Sequence, residues 1–181
     1  RTTKTYPLIS GINSNRELSL HSILKGKSWY PGIEVMRKFY NISTQLEKLS
    51  DIYEVRIKQM NEQRRFPKEI FWILQRDGGM TLLEWAQDKN FHDREVMYER
   101  IYEIINEMRE IGLMHMDLHP RNILIDKNEV VSVIDYGWSM HTSFEMDEME
   151  LCYFNDCFAE NFDKKHFEES LRFYGIDKYC I

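Results

Sequence analysis

The most informative segment of the chain is HMDLHPRN at residues 115–122, followed after two short apolar runs by IDYG at residues 134–137. It places three oxygen-bearing side chains, Asp117, Asn122 and Asp135, around those runs. Hard cations such as Mg²⁺ take carboxylate and amide oxygens as ligands, usually with waters and phosphates completing the shell. A metal site made of Asn122 and Asp135 would leave Asp117 to orient a hydroxyl and accept its proton.

Regular elements are predicted on both sides of this stretch. Apolar residues at helical spacing predict a helix from about Asp93 to Ile111, which Gly112 ends. The apolar runs at 123–125 and 130–134, joined by four polar residues, predict a β-hairpin between the two halves of the motif.

Motif, order and context together resemble the protein-kinase-like superfamily. Asp117 and Asn122 match the Asp and Asn of its catalytic loop, H-x-D-x-x-x-x-N, and residues 135–137 match its D-F-G metal loop, with Tyr136 in the Phe position. The resemblance implies that Asp117 is the catalytic base or hydroxyl-positioning residue. It also implies ATP and Mg²⁺ as cofactors, with Asn122 and Asp135 binding the Mg²⁺ that bridges the ATP phosphates.

The details of the loop resemble small-molecule kinases of the aminoglycoside and choline phosphotransferase type and lipopolysaccharide or sugar kinases. His119 stands where protein kinases often have Lys or Ala, and the resemblance places it near the transferred phosphoryl group. Met116 replaces the Arg that in many protein kinases pairs with an activation-loop phosphate, which disfavours that form of regulation. We expect His115 to be a packed, hydrogen-bonded scaffold histidine.

The middle of the chain resembles the strand and hinge that join the two kinase lobes. The run at 70–74 predicts a central strand, and Gln75 and Asp77 would offer backbone groups to adenine. Thr81 and Glu84 have the spacing of a capping box and predict a short helix.

The front of the chain carries no G-x-G-x-x-G before this hinge. The favoured register takes Lys4 as the strand lysine that orders the ATP phosphates and Glu17 as its helical partner. Ser14 and Glu17 form a further predicted capping box, for a helix ending near Leu24. This register would place a phosphate loop before Arg1, and we expect a chain that starts with Arg to be an excerpt or a processed product.

A second register remains open. It places the helix at 33–49, with Glu34 or Glu47 paired to Lys25 or Lys27. The apolar spacing of this stretch suits a helix, although residues 33–40 could also open as a strand.

We therefore predict an α+β, protein-kinase-like two-lobed fold. The N-lobe, with a reduced β-sheet, would occupy residues 1–76 and include a strand at 53–58. The compact and mainly helical C-lobe, carrying the small hairpin, would occupy residues 77–181.

Composition limits the partners. The 181 residues carry a net charge of −6, which disfavours a general nucleic-acid binder. No apolar run is long enough to span a membrane. Three cysteines without tight C-x-x-C spacing suit a reduced, cytoplasmic protein.

The predicted function is transfer of the ATP γ-phosphoryl group to a hydroxyl of a small molecule or sugar. A minimal protein Ser/Thr kinase is one alternative, disfavoured by the short tail after Gly137 and its lack of Ala-Pro-Glu. A pseudokinase-type nucleotide-binding or interaction module is another. The missing phosphate loop favours it, and the complete set of Asp117, Asn122 and Asp135 argues against it.

Overall fold

The computed structural model describes residues 2–7, 13–39 and 69–177. At the strand and helix positions 2–7, 13–17, 35–39 and 69–74 it describes the backbone alone. The strand predicted at 53–58 lies outside the described residues. The chain divides into two compact units: the first comprises Arg1–Ile23 and Gly32–Arg76, and the second comprises Leu24–Pro31 and Asp77–Ile181.

The first unit contains a three-stranded antiparallel sheet and a helix. β1 (Thr2–Pro7) and β2 (Gly32–Phe39) both pair with β3 (Glu69–Gln75), which is therefore the central strand, as its continuous apolar run predicts. α1 spans Asn13–Leu24. It begins before Ser14, so the predicted N-cap at Ser14 is wrong. Because Asn and Ser are about equally favourable at the N-cap, the residues around Ser14 predict the first residue of α1 only to within a few positions.

β2 also decides between helix and strand for residues 33–49. The described part of this stretch is an extended strand that pairs along β3 with one irregularity between Gly32 and Glu34. Its run of Ile, Val, Met and Phe suits a pleated surface as well as a helix face, so tertiary pairing decides.

The second unit combines helices with two small sheets. β6 (Ile123–Ile125) lies between β4 (Met80–Thr81) and β7 (Val131–Val133), and β5 (Leu113–Met114) pairs with β8 (Met140–His141); all these pairs are antiparallel. The helices are α2 (Leu82–Gln87), α3 (Phe91–Glu110), α4 (Glu148–Ala159) and α5 (Phe162–Phe173), with a 3₁₀ turn at Tyr136–Trp138. In the described ranges no helix is long and apolar enough to cross a membrane.

α3 forms the centre of this unit. The Asn90 side chain caps its first turn by accepting from the Asp93 N–H at 2.9 Å. Its predicted apolar stripe is buried, and the rings of Tyr98 and Tyr102 pack edge-on against Phe167 of α5, with centroids 6.1 and 5.9 Å away. The predictions of this helix and of the β6–β7 hairpin are confirmed.

The segment Leu24–Pro31 connects α1 to β2 in sequence but packs within the second unit. The buried Trp29 donates its indole N–H to Glu107 of α3 at 2.8 Å, and its carbonyl accepts the Val133 N–H at 2.8 Å. Tyr30 packs edge-on against Tyr136, with ring centroids 5.5 Å apart. This segment, which we call the Trp29 strap, therefore joins α3 to the end of β7, where the metal loop begins.

Gly79 and Gly26 provide a matched test of the turn before β4. Both have positive φ, +81° and +95°, but a Cβ on Gly79 would lie 2.2 Å from the Ile125 carbonyl oxygen, whereas a Cβ on Gly26 meets nothing within 4 Å. We expect Gly79→Ala to lower the free energy of unfolding by about 3 kcal/mol or more and Gly26→Ala by only about 1–2 kcal/mol, the cost of the left-handed conformation alone. Urea unfolding measures both, and equal losses would show that the close approach at Gly79 is unimportant.

Candidate active site

The open end of the β6–β7 hairpin brings the two halves of the motif together. Ile123 and Val133 are paired, and just beyond them the Ile134 N–H donates to the Asn122 carbonyl at 2.9 Å. The Asn122 N–H in turn donates to the His119 carbonyl at 2.8 Å. Asn122 and Asp135 are 13 positions apart in sequence, and the backbone of Asn122 is bonded to Ile134, the residue before Asp135.

Asp117 and Asn122 are bonded directly. The Asn122 Nδ2 group donates to the Asp117 carbonyl oxygen at 2.9 Å and to Asp117 Oδ2 at 3.2 Å. Both of its hydrogens are used in this way, so the amide orients the carboxylate. Asn122 Oδ1 has no hydrogen-bond partner among the described residues and keeps its lone pairs for a cation.

His119 lies on the other side of the Asp117 carboxylate. Its Nδ1 accepts the Arg121 N–H at 3.2 Å, which assigns the proton of the neutral ring to Nε2. That nitrogen is 3.7 Å from Asp117 Oδ1 and 3.3 Å from Asn122 Nδ2. The structure therefore brings His119 and Asp117 together, with 25% and 37% of their side chains exposed, which leaves both accessible to a ligand.

The donor set suits a Mg²⁺ ion that also binds phosphate. Asn122 supplies an amide oxygen, and Asp135 supplies an exposed carboxylate at the end of the hairpin. No cluster of three His, Cys, Asp or Glu side chains within the described ranges could hold a metal by itself. One amide and one carboxylate leave most of the shell to phosphates and waters, as is usual for Mg²⁺ bound with a nucleotide.

Both loops contain strained backbone. Met116 and Asp135 have φ angles of 66° and 67°, in the left-handed region that non-glycine residues rarely adopt. Each costs about 1–3 kcal/mol and persists only where the surroundings enforce it. Met116 comes directly before Asp117, and Asp135 is itself a predicted metal ligand, so the strained backbone sets the direction in which these two carboxylates project.

The buried carboxylate of Asp163 enforces the first of these conformations. Its two oxygens accept the backbone N–H groups of His115 at 2.7 Å and Met116 at 2.9 Å. From the other side the buried Ser139 hydroxyl donates to the His115 carbonyl at 3.2 Å. The backbone immediately before Asp117 is therefore fixed by side chains from two distant parts of the chain.

His115 completes this support as a neutral ring. Its Nδ1 accepts the Asp117 N–H at 3.3 Å, so Nε2 carries the proton and donates to the Ile134 carbonyl at 2.9 Å. Full burial lowers the pKa of His115 below its ordinary value of 6.5, and the charge of Asp163 opposes that shift without cancelling it. The ring also packs 4.9 Å from Tyr136. The scaffold role expected for His115 is confirmed.

Comparison with protein families decides where this arrangement belongs. The family model described as the phosphotransferase enzyme family matches residues 44–179, which is most of the chain. The chain belongs to the phosphotransferase enzyme family. The α+β fold is that of the protein-kinase-like superfamily, of which this family is part.

This phosphotransferase is also similar to protein kinases. It is 22% identical over 153 residues to an Aurora kinase of Encephalitozoon cuniculi, covering 82% of this chain and 54% of that protein. It is 24% identical over 99 residues to the maternal embryonic leucine zipper kinase of Xenopus laevis, covering 53% of this chain and 15% of that protein. The chain thus spans about half or less of the length of these relatives.

The residues predicted nearer the front of the chain are placed in part. Lys4 lies in β1 opposite Ile73, and Glu17 lies in α1, but their side chains are outside the described residues, so their pairing stays a prediction. Gln75 is the buried last residue of β3. Asp77, two positions later, is exposed, and its Oδ1 accepts the Gly79 N–H at 3.1 Å.

The structure contradicts the second register at residues 33–39 and for Glu34. It required a helix from residue 33, and Glu34 lies instead on strand β2. Glu47 is outside the described residues. Asp147 and Glu150 form a reciprocal capping box at the start of α4.

Sequence reasoning missed Asp163 and Ser139. Asp163 is 48 positions from His115 and looks like an ordinary acidic residue in the first turn of a helix, which is favourable for the helix dipole in any case. Ser139 has no sequence signal beyond its closeness to the metal loop. Both act through backbone groups, and such contacts leave no side-chain pattern to find.

Asp163→Asn tests the support of the catalytic loop. An amide at this position presents one acceptor and one donor to two N–H groups, so we expect a loss of about 2–3 kcal/mol in the free energy of unfolding and a lower kcat. Asp156→Asn is the matched control, because Asp156 is exposed on α4, where its carboxylate accepts from the Cys152 thiol at 4.0 Å. Urea unfolding and steady-state kinetics measure both, and similar behaviour of the two variants would contradict this role of Asp163.

The low pKa of His115 predicts a stability that depends on pH. The unfolded chain protonates this ring near pH 6.5 and the folded chain only at a lower pH, so its contribution is complete above about pH 6.5 and is lost as pH falls below that value. Between pH 7.5 and 5.5 we expect the wild type to lose more stability than His115→Gln, with a difference of at most about 1.4 kcal/mol per pH unit. Unfolding curves at the two pH values give the comparison, and parallel losses would refute it.

Proposed function

We propose that this protein is a kinase that uses ATP and Mg²⁺ to transfer the γ-phosphoryl group to a hydroxyl of a small molecule or sugar. The observation that carries the proposal is the bonded pair of Asp117 and Asn122. One side chain, that of Asn122, orients the carboxylate that would face the acceptor and presents a separate oxygen to the metal. This arrangement couples the position of the acceptor hydroxyl to that of the phosphate.

Asp117 is the proposed base. Its Oδ2 is held by the Asn122 amide, and its partly exposed carboxylate can accept a hydrogen bond from an incoming hydroxyl and take its proton as the phosphoryl group arrives. Asn122 and Asp135 are the proposed metal ligands. Bound Mg²⁺ would neutralise phosphate charge, which matters because phosphoryl transfer depends mainly on positioning and electrostatic stabilisation.

His119 has a proposed role as a donor. Its Nε2–H group lies beside the Asp117 carboxylate, and its Nδ1 is fixed by the Arg121 N–H. A neutral ring held in this way can donate to an oxygen of the transferred phosphoryl group without needing a positive charge. The role stays a proposal, as does that of Lys4 and Glu17 in ordering the ATP phosphates and of the Gln75 and Asp77 backbone in binding adenine.

We also propose that the first unit is the kinase N-lobe and the second its C-lobe. The chain passes from one unit to the other between Arg76 and Asp77, next to the proposed hinge. The Trp29 strap does not follow the predicted division at residue 76, because its residues precede residue 76 but belong to the second unit. The free thiols of Cys152 and Cys157 suit a reducing compartment, and we propose the cytoplasm.

Two observations favour a small acceptor. Met116 packs against the apolar cluster of Met114, Met140 and Phe154, so this position offers no cation for a phosphorylated loop. The connection between the metal loop and α4 is only residues 138–147, part of which is tied to β5 through β8. A protein Ser/Thr kinase is the second candidate, and the names of the relatives are what support it.

Asp117→Asn is the direct test, in an assay of γ-labelled ATP against sugars, aminoglycosides and generic protein acceptors. We expect the wild type to label a small hydroxyl compound, and Asp117→Asn to lower kcat by a factor of about 10²–10⁴, as removal of a general base does. Asp88→Asn, an exposed Asp at the end of α2, is the matched control.

Three outcomes would change the proposal. Full activity of Asp117→Asn would remove the role of Asp117. Labelling of the protein acceptors alone would select the second candidate. If neither ATP nor Mg²⁺ raised the melting temperature of the wild type, a nucleotide-dependent activity would lose its basis.

A further inference from the structure

The most exposed tryptophan whose side chain is described lies next to the metal loop. Trp138 exposes 70% of its surface, whereas Trp29 and Trp85 expose 1% and 6%. It packs against no aromatic ring and under no cation of the described residues. An indole combines a large flat apolar surface with a polar N–H at its edge, which suits contact with a ligand that has both apolar and polar surface.

The backbone that carries Trp138 is fixed on both sides. Tyr136, two positions earlier, is buried against Tyr30 and His115, and Ser139, the next residue, is buried and bonded to the His115 carbonyl. The Ser139 N–H closes the 3₁₀ turn onto the Tyr136 carbonyl at 3.1 Å. Trp138 therefore projects from a turn anchored to the same backbone that positions Asp117.

Trp138 is also close in sequence to the proposed metal ligand, Asp135. Trp138 lies three positions after Asp135, and three residues of chain span at most about 11 Å. A ligand of the size of one sugar ring, with its hydroxyl at Asp117 and the phosphate at Asp135, would lie within reach of an aromatic side chain in this position. A flexible side chain would serve poorly here, but an indole has only two side-chain torsions to restrain.

We propose that Trp138 is a specificity-determining residue that stacks against the ring of the acceptor, and that the acceptor is a pyranoside. This inference rests on the proposed function. The C–H face of a pyranose is apolar and can cover an indole, while the hydroxyls around its edge stay hydrogen-bonded and one of them is directed to Asp117. Neutral and amino sugars share this ring, and an acyclic alcohol lacks it.

The neighbouring charges agree with recognition through the ring. Two carboxylates of the segment that follows, those of Asp147 and Glu150, bind backbone N–H groups of the α4 capping box. They are therefore already engaged in helix capping. These two carboxylates therefore do not call for a cationic group on the acceptor. Trp138, in contrast, presents a flat apolar surface.

Binding and kinetics of Trp138→Ala, Trp138→Phe and the control Phe91→Ala test the inference. Phe91 is an aromatic residue of similar type, 45% exposed at the first position of α3. The probes are methyl α-glucoside, methyl α-glucosaminide and the acyclic polyol sorbitol. Saturation-transfer NMR measures their binding to the full chain without relying on turnover, and phosphoryl-transfer kinetics give kcat/KM for those that react.

We expect the wild type, Trp138→Phe and Phe91→Ala to bind both glycosides, and Trp138→Ala to lose this binding. Where the glycosides react, Trp138→Ala should lower the ratio of kcat/KM for a glycoside to that for sorbitol by about tenfold or more, as truncation of an aromatic contact does at the centre of an interface. The loss should appear in KM more than in kcat, because the indole contacts the ring and not the reacting atoms.

The inference fails if Trp138→Ala binds the glycosides as the wild type does, or if the wild type binds neither glycoside. It also fails if only the glucosaminide depends on Trp138, because the indole would then recognise the amine and not the ring. If the glycosides bind through Trp138 but no acceptor is ever phosphorylated, the proposed function fails and the ring-binding site stands.

Discussion

One buried carboxylate, that of Asp163, holds the backbone on which the catalytic segment depends. Its oxygens accept two successive N–H groups, at His115 and Met116, and this keeps Met116 in a left-handed conformation it would not adopt alone. Burying a charge is costly, and two short hydrogen bonds to backbone donors offset that cost. The strain at Met116 turns the chain so that Asp117 meets Asn122. Most of the site geometry follows from this one contact.

Next to that contact, the neutral groups of His115 and Asn122 bond to the backbone and carboxylate of Asp117. His115 links the Asp117 N–H to the Ile134 carbonyl, and so connects the two loops through a ring that burial keeps neutral. Asn122 then donates both amide hydrogens to Asp117. His115 and Asn122 therefore fix the Asp117 backbone and carboxylate through a defined donor and acceptor pattern, and the Asp117 side chain stays partly exposed.

Local patterns in the sequence predicted the parts of this arrangement that are themselves local. The capping box at Thr81, the stripe of α3 and the β6–β7 hairpin depend on neighbours within a few positions, and the structure has all three. Asp117, Asn122 and Asp135 could be proposed because the motif has a fixed spacing. Residues 33–39 could not be assigned, because an apolar strand and an apolar helix face look alike until a partner strand is known. Asp163 and Trp29 could not be found, since each acts on a backbone group or a side chain far away in sequence.

The Trp29 strap bears on how the second unit is assembled during folding. Trp29 and Glu107 are 78 positions apart, and the strap must also meet Val133 before β7 has its full set of hydrogen bonds. Closing so long a loop carries an entropic cost that nearby contacts do not repay, which places this step late in folding. The helices and the hairpin can form from local contacts beforehand. The end of β7, from which the metal loop starts, is therefore completed only when an early part of the chain returns to it, so a fragment cut at residue 77 would lack a piece of its own core.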